Sequence, residues 1–247
     1  VYSDKNNSMK GWAIIGAVSE TAISWGVRTL FNAGETQGIF VEAMNDTTFI
    51  IAYRDISNSL KGTAIIGTIE GTSISFGSET VFNLEATVPS SIIAINSNSF
   101  VIGYTDNNGF GTYIIGSIEE ADITFGTEGV INNVTTGYIS LIALSSYKLV
   151  VSYKGSSSYG YSRVGLISGT SISWGTEYRF NAGRTYYISS TALNDSKFVV
   201  AYNDSGNSNN GTAVVGSVDG TIITFSSENI FNPYNTDNLS MIRLDEH

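Results

Sequence analysis

The sequence predicts an all-β protein assembled from five copies of one unit of about 50 residues. One observation is a turn made of an aromatic residue and, in four copies of five, glycine, which recurs at spacings of 51, 49, 49 and 51 residues. Another is composition: 26 of the 247 residues are glycine and only 14% are charged, which suits short strands and tight turns. Apolar runs are also short, as at residues 49–52. A chain of this length can build one sizeable core.

Three landmarks define each copy, and aligned positions of the copies are called a column. The aromatic turn residues are Trp25, Phe76, Phe125, Trp174 and Phe225. A hydrophobic residue followed by asparagine closes the next stretch, at Asn32, Asn83, Asn132, Asn181 and Asn232. A tyrosine followed two residues later by aspartate gives Asp4, Asp55, Asp106 and Asp204. The fourth copy departs from this third landmark, because Tyr153 is followed there by Lys154 and Gly155.

Four strands are predicted in each copy, and we name them a, b, c and d. In the second copy they cover residues 39–45, 49–55, 63–69 and 73–83. Strands a, b and c are apolar at nearly every position, which is typical of a sheet buried on both faces, whereas strand d alternates. Sheets stacked face to face around an axis produce this pattern. The prediction is therefore a five-bladed β-propeller with four antiparallel strands in each blade.

The two ends of the chain are predicted to share one blade. The chain starts near the end of a strand b and finishes, at residues 239–244, with a strand a. We expect this C-terminal strand a to join the N-terminal strands b, c and d and close the ring, which removes open sheet edges. The single domain 1–247 would comprise blades at about 238–247 with 1–32, 33–83, 84–132, 133–181 and 182–232. Strand b of the split blade should be short, since six positions separate Arg243 from Tyr2 where intact copies have ten.

The repeat resembles known families in its motifs. Gly-Thr-Ala-x-x-Gly stands at residues 62–67, and Gly-Thr-x-Ile-Ser-Phe-Gly-x-Glu-x-x-Phe-Asn at residues 71–83. These motifs resemble propeller-type repeats of bacterial and phage-associated surface proteins, and the resemblance covers the whole chain. In blade number and unit length the chain is similar to tachylectin-type five-bladed lectins. The Trp-Asp-type signatures of those lectins do not occur, so no sugar-binding residue is carried over from them.

Charge and residue inventory exclude several functions. The net charge of −10 opposes binding to a phosphate backbone, so we expect no nucleic-acid partner. The chain has no cysteine, and its single histidine is His247. It therefore lacks the residues needed for thiolate chemistry, a Ser-His-Asp triad or a histidine metal site. No phosphate or dinucleotide fingerprint and no calcium loop is present. We therefore expect no cofactor, no metal and no membrane insertion, and the sequence leaves the oligomeric state open.

The candidate ligand-binding residues lie at one end of the predicted blades, which we call the loop face. The b–c and d–a connections meet there, and b–c is the only span whose length varies, between five and seven residues. Carboxylates and amides suit sugar hydroxyls, and aromatic faces suit sugar C–H groups. The candidates are Asp4, Asp55, Asp106, Asp204, Asn32, Asn83, Asn181, Trp12 and Tyr161. The alternative interpretation is that the asparagines and aspartates only bond the backbone of their own turns.

Two residues break their columns in strand a. Glu42 stands where other copies have isoleucine or threonine, and Arg243 stands where they have alanine. We expect the two to form an ion pair between neighbouring blades, which would serve register more than stability.

The sequence favours a multivalent binding module, carbohydrate-binding and lectin-like, because repeated weak sites on one body gain avidity. A structural or interaction domain of a larger surface or fibre protein is the alternative. A glycoside hydrolase or lyase is the second alternative. It is disfavoured because catalytic carboxylates should be singular, whereas the aspartates here are repeated. A glycan or cell-surface ligand is the expected partner, and a secreted or surface-associated location is favoured.

Overall fold

The structure is a computed structural model that describes residues 1–244, and it forms two compact units. Unit 1 comprises residues 1–107 and 114–126, and unit 2 comprises residues 108–113 and those from Thr127 onward. The described chain is all-β, apart from two single 3-10 turns at Lys5–Asn7 and Ser156–Ser158. None of its helices has the length and hydropathy needed to cross a membrane.

The first two copies lie in unit 1 and share a sheet. Their strands are β1 (Tyr2–Asp4), β2 (Lys10–Ala13), β3 (Gly16–Ser19), β4 (Ala22–Trp25), β5 (Thr29–Ala43), β6 (Thr48–Asp55), β7 (Lys61–Glu70), β8 (Ser73–Phe76) and β9 (Thr80–Ala86). Seven of them form one sheet in the order β1-β2-β5-β6-β7-β8, with β9 also paired to β7. β3 and β4 form a separate two-stranded sheet. The long β5 therefore serves as strand d of the first copy and strand a of the second.

The third copy forms a five-stranded sheet. Its strands are β10 (Val88–Asn96), β11 (Ser99–Thr105), β12 (Phe110–Glu119), β13 (Asp122–Phe125) and β14 (Gly129–Thr135). Their order is β10-β11-β12-β13, with β14 paired to β12. The division between the two units falls within β12.

The fourth and fifth copies lie in unit 2 and repeat this arrangement. The fourth contains β15 (Gly137–Ser145), β16 (Lys148–Lys154), β17 (Gly160–Ser168), β18 (Ser171–Trp174) and β19 (Tyr178–Asn181). The fifth contains β20 (Thr185–Asn194), β21 (Lys197–Asp204), β22 (Asn210–Asp219), β23 (Ile222–Phe225) and β24 (Asn229–Asn235). In each sheet the last two strands pair with different halves of strand c.

Strand d is therefore two strands, which corrects the single strand predicted at residues 73–83. β8 pairs with the C-terminal end of β7, and β9 pairs with the N-terminal end of β7. The break follows Phe76, where the Gly77 amide donates to the Ile66 carbonyl at 3.0 Å. Two residues later Glu79 accepts a hydrogen bond from the Tyr53 hydroxyl at 2.7 Å. Glu79 thus lies in the break between β8 and β9, and its side chain reaches strand b.

Hydrophobic contacts between consecutive copies build the core of each unit. In unit 1, Phe31 packs edge-on against Tyr53 of the next copy, with ring centroids 5.3 Å apart. In unit 2, Phe180 and Tyr202 pack at a tilt, with ring centroids 5.1 Å apart. Tyr53 and Tyr202 are fully buried. The residue that closes strand d of one copy thus packs on the tyrosine that closes strand b of the next copy, and this contact recurs along the chain.

The ends of the chain differ in part from the expectation. β1 has three residues where β6 has eight, so strand b of the first copy is short, whereas the split blade itself stays a prediction. No strand is assigned to residues 239–244, and the strand predicted there is wrong for the described chain. This segment follows β20 instead: the Met241 amide donates to the Ser189 hydroxyl at 2.9 Å, and Arg243 donates to the Leu193 carbonyl at 3.0 Å. Both bonds use side chains, so no backbone ladder forms. Closure of a five-bladed ring stays a prediction, and residues 245–247 of the predicted split blade lie outside the described residues.

Candidate functional site

The candidate asparagines are bonded within their own connections. Asn32 accepts from the Gly34 amide at 2.8 Å and donates to the Thr36 hydroxyl at 3.0 Å. Asn181 accepts from the Gly183 amide at 2.7 Å and donates to the Thr185 hydroxyl at 3.1 Å. Both asparagines are buried. These are the bonds that the turn interpretation expects, since they lie within the path from strand d to the next strand a.

Asn83 also accepts a hydrogen bond from the backbone of its own turn, but its amide group donates to a different kind of partner. Its side-chain oxygen accepts from the Glu85 amide at 2.7 Å, and its amide group donates to the Tyr104 hydroxyl at 3.4 Å. The second contact links the turn to the tyrosine of the following strand b, within unit 1.

Two of the candidate aspartates are buried supports of the b–c connection. Asp55 is 5% exposed and accepts from the Asn58 amide at 3.2 Å. Asp204 is 4% exposed and accepts from the Gly206 amide at 3.0 Å and from Asn181 at 3.1 Å. Asn181 and Asp204 thus contact each other, and each also accepts a hydrogen bond from loop backbone. Asp106 is half-buried and has interactions of its own.

Asp4 and Trp12 form a different cluster, in the first copy. The Arg28 guanidinium lies 4.3 Å from the centroid of the Trp12 ring and donates to the Asp4 carboxylate at 3.1 Å. A hydrogen bond to Tyr2, together with Asp4, raises the pKa of Arg28. The Trp12 indole nitrogen is buried and has no hydrogen-bond partner within residues 1–244. This cluster exists only in the first copy, since the Arg28 column otherwise reads Glu79, Glu128, Glu177 and Glu228.

Tyr161 occupies space that an aspartate side chain fills in other copies. A Cβ added at Gly155 would lie 2.9 Å from the Tyr161 ring, so this ring lies directly over the glycine that replaces the aspartate. Tyr161 also packs at a tilt against Tyr153, with ring centroids 6.2 Å apart. Tyr161 is half-buried.

A column of tyrosine–glutamate pairs escaped the sequence analysis. The Tyr53 hydroxyl donates to Glu79, the Tyr153 hydroxyl to Glu177, and the Tyr202 hydroxyl to Glu228. Burial of each tyrosine, reinforced by its glutamate, raises its pKa. The signal was present in the sequence, because the glutamate follows the aromatic turn residue by three positions in four copies.

A partly exposed cluster of three tyrosines and one lysine lies in unit 2, and we call it the tyrosine cluster: Tyr138, Tyr186, Tyr187 and Lys154. Tyr138 meets Tyr186 and Tyr187 edge-on, with ring centroids 5.7 and 5.4 Å apart. The Lys154 ammonium lies 5.2 Å from the Tyr138 centroid and 5.1 Å from that of Tyr186. None of these four residues is among the candidate ligand-binding residues predicted from the sequence.

Strand ends position this cluster on the loop face. Lys154 ends β16 and pairs with Gly137 at the start of β15, so the neighbouring Tyr138 lies beside it. Tyr186 is near the start of β20, where it pairs with Asn203. Partial burial lowers the pKa of Lys154. No ion pair is found for its ammonium among the described residues.

Two tyrosines of the cluster have a strained backbone. Tyr138 and Tyr187 adopt φ values of 52° and 49°, in the left-handed region that bulky residues avoid. Both occupy the β-bulge near the start of strand a, and their column contains Gly38 and Asn238, also at positive φ. Glycine and asparagine fit this conformation with little cost, but tyrosine does not. A side chain held against strain is a pointer to function.

Solved structures share the fold at low sequence identity. A triple mutant of AofleA from Arthrobotrys oligospora matches with a TM-score of 0.59 and 11% identity, covering 87% of this chain and 64% of that chain. The NanB sialidase from Streptococcus pneumoniae matches with a TM-score of 0.52 and 17% identity, covering 73% of this chain and 30% of that chain. The intramolecular trans-sialidase from Ruminococcus gnavus matches with a TM-score of 0.52 and 14% identity, covering 87% and 49%. The chain thus spans less than a third of the length of NanB.

These matches define the class of fold. The chain is all-β and its structural neighbours are sialidase-type β-propellers. No protein-family profile matches the sequence, and no curated protein matches it.

Proposed function

We propose that this chain is a glycan-binding module whose ligand contacts lie in the tyrosine cluster. One observation carries the proposal: on the loop face of unit 2, three tyrosine rings converge with an ammonium group that has no ion pair within residues 1–244. Such rings offer flat apolar faces for sugar C–H groups, and their hydroxyls and the ammonium offer hydrogen bonds. Sialidases among the structures that share the fold give independent support for a glycan ligand.

The proposal assigns different roles to the candidate residues. Asp55, Asp204, Asn32 and Asn181 support the connections, since their polar atoms are bonded to loop backbone and side chains. Trp12 with Arg28 is a second aromatic–cation pair, at the first copy. Weak sites at separate copies would act together through avidity, as a multivalent binder requires.

Catalysis is a weaker proposal. A tyrosine nucleophile has to be accessible and to lose its proton, but Tyr53, Tyr153 and Tyr202 are fully buried and have raised pKa values. The tyrosine–glutamate pairs are also repeated, as scaffold features are. A domain within a larger surface protein is the better alternative, and a secreted or surface-associated location belongs to either proposal.

The test is a glycan array probed with the wild-type chain and with Tyr138→Gly. Glycine is the residue that the same bulge has at position 38, so the variant should fold at least as stably while losing one ring. We expect binding to one family of sugars, weakened about tenfold or more by Tyr138→Gly and by Lys154→Gln. Tyr147→Ala is the matched control, because Tyr147 is 62% exposed and lies at the opposite end of the fourth copy.

Two results would contradict the assignment. Sugar binding that survives Tyr138→Gly but is lost in Asp106→Asn would return the site to the carboxylates of the b–c connections. A blank array at high protein concentration would favour the interaction domain.

A further inference from the structure

The charges of the chain are distributed unevenly among the copies of the repeat. The fourth copy, residues 133–181, contains four basic residues and one acidic residue, a net charge of +3. The second, third and fifth copies, with the bounds given for their blades above, have net charges of −4, −6 and −2. The copy that contributes Tyr138 and Lys154 to the tyrosine cluster is therefore basic, within a chain whose net charge is −10.

The fourth copy offers no competing carboxylate to this lysine. Its single acidic residue, Glu177, accepts a hydrogen bond from the buried Tyr153 hydroxyl. The aspartate that follows the tyrosine in the other copies is replaced by Gly155, next to Lys154. The sequence contains no other aspartate or glutamate between residues 129 and 194. The change to glycine thus removes a negative charge where the lysine is placed.

Two further cations lie on the loop face of unit 2. Arg179 is opposite Tyr161 near the start of β17, and its guanidinium is 5.4 Å from the centroid of the Tyr159 ring. Arg184 is exposed in the connection between β19 and β20. Neither arginine has an ion pair among residues 1–244. Positive charges gathered on one face attract anionic ligands and raise their local concentration.

The surroundings of Lys154 favour an anion at its ammonium group. The ammonium lies 5.2 and 5.1 Å from the centroids of the Tyr138 and Tyr186 rings, and the residue is half-buried. Removing a cation from water costs free energy, and aromatic faces offset part of this cost. A ligand carboxylate or sulfate would offset more of it, because a charge-assisted hydrogen bond is stronger than a neutral one.

We propose that the ligand of the tyrosine cluster is an acidic saccharide, whose carboxylate or sulfate group binds the Lys154 ammonium while a sugar ring packs on the tyrosines. This inference rests on the proposed glycan-binding function and adds the charge of the ligand to it. Arg179 and Arg184 assist by their long-range attraction, and Lys154 determines the preference for an acid over a neutral sugar.

The test uses two matched pairs of probes, titrated into the whole chain by calorimetry. One pair is an oligogalacturonate and its methyl ester, and the other is a sulfated galactan oligosaccharide and its desulfated form. We expect the acidic member of one pair to bind at least about tenfold more tightly than its neutral partner, and the pair that shows this preference identifies the anionic group.

Three variants separate charge from stacking. Lys154→Gln should bring the affinities for the two members of that pair within about twofold of each other. Tyr138→Gly should lower both affinities by a similar factor, because it removes a ring and leaves the charge. Lys148→Gln is the matched control: it removes the same charge from the same copy, at the opposite end of β16, and should leave the preference unchanged.

Other results would overturn the inference. Equal affinity for the acidic and neutral members of both pairs would do so, and so would a preference that Lys154→Gln leaves intact. Neutral sugars that bind on the array and are lost in Tyr138→Gly, with no binding of either acidic probe, would overturn this inference and leave the proposed function standing. A blank array together with no binding of any probe would contradict both.

Discussion

The first and second copies of the repeat have matching residues and different burial. Tyr53 and Ile74 are 0% and 8% exposed, whereas their counterparts Tyr2 and Ile23 are 37% and 53% exposed. The residue types are the same, so the difference comes from what packs on them. A complete strand b closes the core of the second copy, and only three residues of that strand are present in the first. Burial of these apolar residues therefore depends on the strand that packs on them, and the residue type in a column does not determine it.

The largest expected effect distinguishes the two isoleucines. Ile74→Ala should destabilise the chain by about 2–5 kcal/mol, since it opens a cavity in a packed core. Ile23→Ala should cost under about 0.5 kcal/mol, as exposed substitutions do. Urea unfolding of both variants provides the measurement. Equal costs would mean that the first copy is as well packed as the second.

The tyrosine column gives the next effect. Tyr53→Phe removes the hydroxyl that donates to Glu79 at 2.7 Å, and a hydrogen bond to a charged acceptor contributes about 1.5–3 kcal/mol. Tyr2→Phe should cost less than about 1 kcal/mol, because its ring is partly exposed and no buried pair is lost. Thermal unfolding can compare the two variants. A larger loss in Tyr2→Phe would show that the Arg28 cluster holds the first copy together.

The smallest effect concerns Glu42, whose carboxylate accepts from the Ala94 amide at 3.0 Å. In unit 2 the Ser140 hydroxyl accepts from the Ser190 amide in an equivalent contact between consecutive strands a. Burial raises the pKa of Glu42, although the Ala94 bond opposes the shift. The ion pair predicted with Arg243 stays a prediction.

Stability should therefore depend on the protonation of Glu42. Ionisation is penalised in the folded state, so the penalty is absent below the unfolded pKa and is complete above the raised folded pKa. Glu42→Gln should stabilise the chain by under about 1 kcal/mol at pH 7, with no gain at pH 3. Unfolding curves at both pH values measure this, and a variant less stable at pH 7 would show that the Ala94 bond dominates.

Much of the fold was available from the sequence because repetition reveals it. The aromatic turn, the strand-closing asparagine and the b-strand tyrosine all lie where their columns predict. The break in strand d was missed because the bond between Glu79 and Tyr53 is a tertiary contact, which the strand pattern does not reveal. The strand predicted at residues 239–244 is wrong because strand propensity does not supply a partner strand.

The candidate site was less accessible to sequence reasoning. Asp55 and Asn181 have the residue types that bind sugars, but the same polar atoms also cap turns, and only the hydrogen bonds distinguish the two uses. Tyr138 lies in a column that contains glycine, proline, tyrosine and asparagine, so the column does not point to a common role for its residues. Tyr138 is included in the proposed site because its backbone is left-handed and Lys154 lies beside its ring. Both features are visible only in three dimensions.

The bulge that holds Tyr138 and Tyr187 has a consequence for how such a chain can evolve. Substitution by glycine or asparagine at either position would relieve the backbone strain. On the proposed function, it would also remove a ligand contact. Selection for stability and selection for binding would then act in opposite directions at the same two sites. Copies of the repeat could gain or lose ligand contacts one at a time while the sheets beneath them stay unchanged.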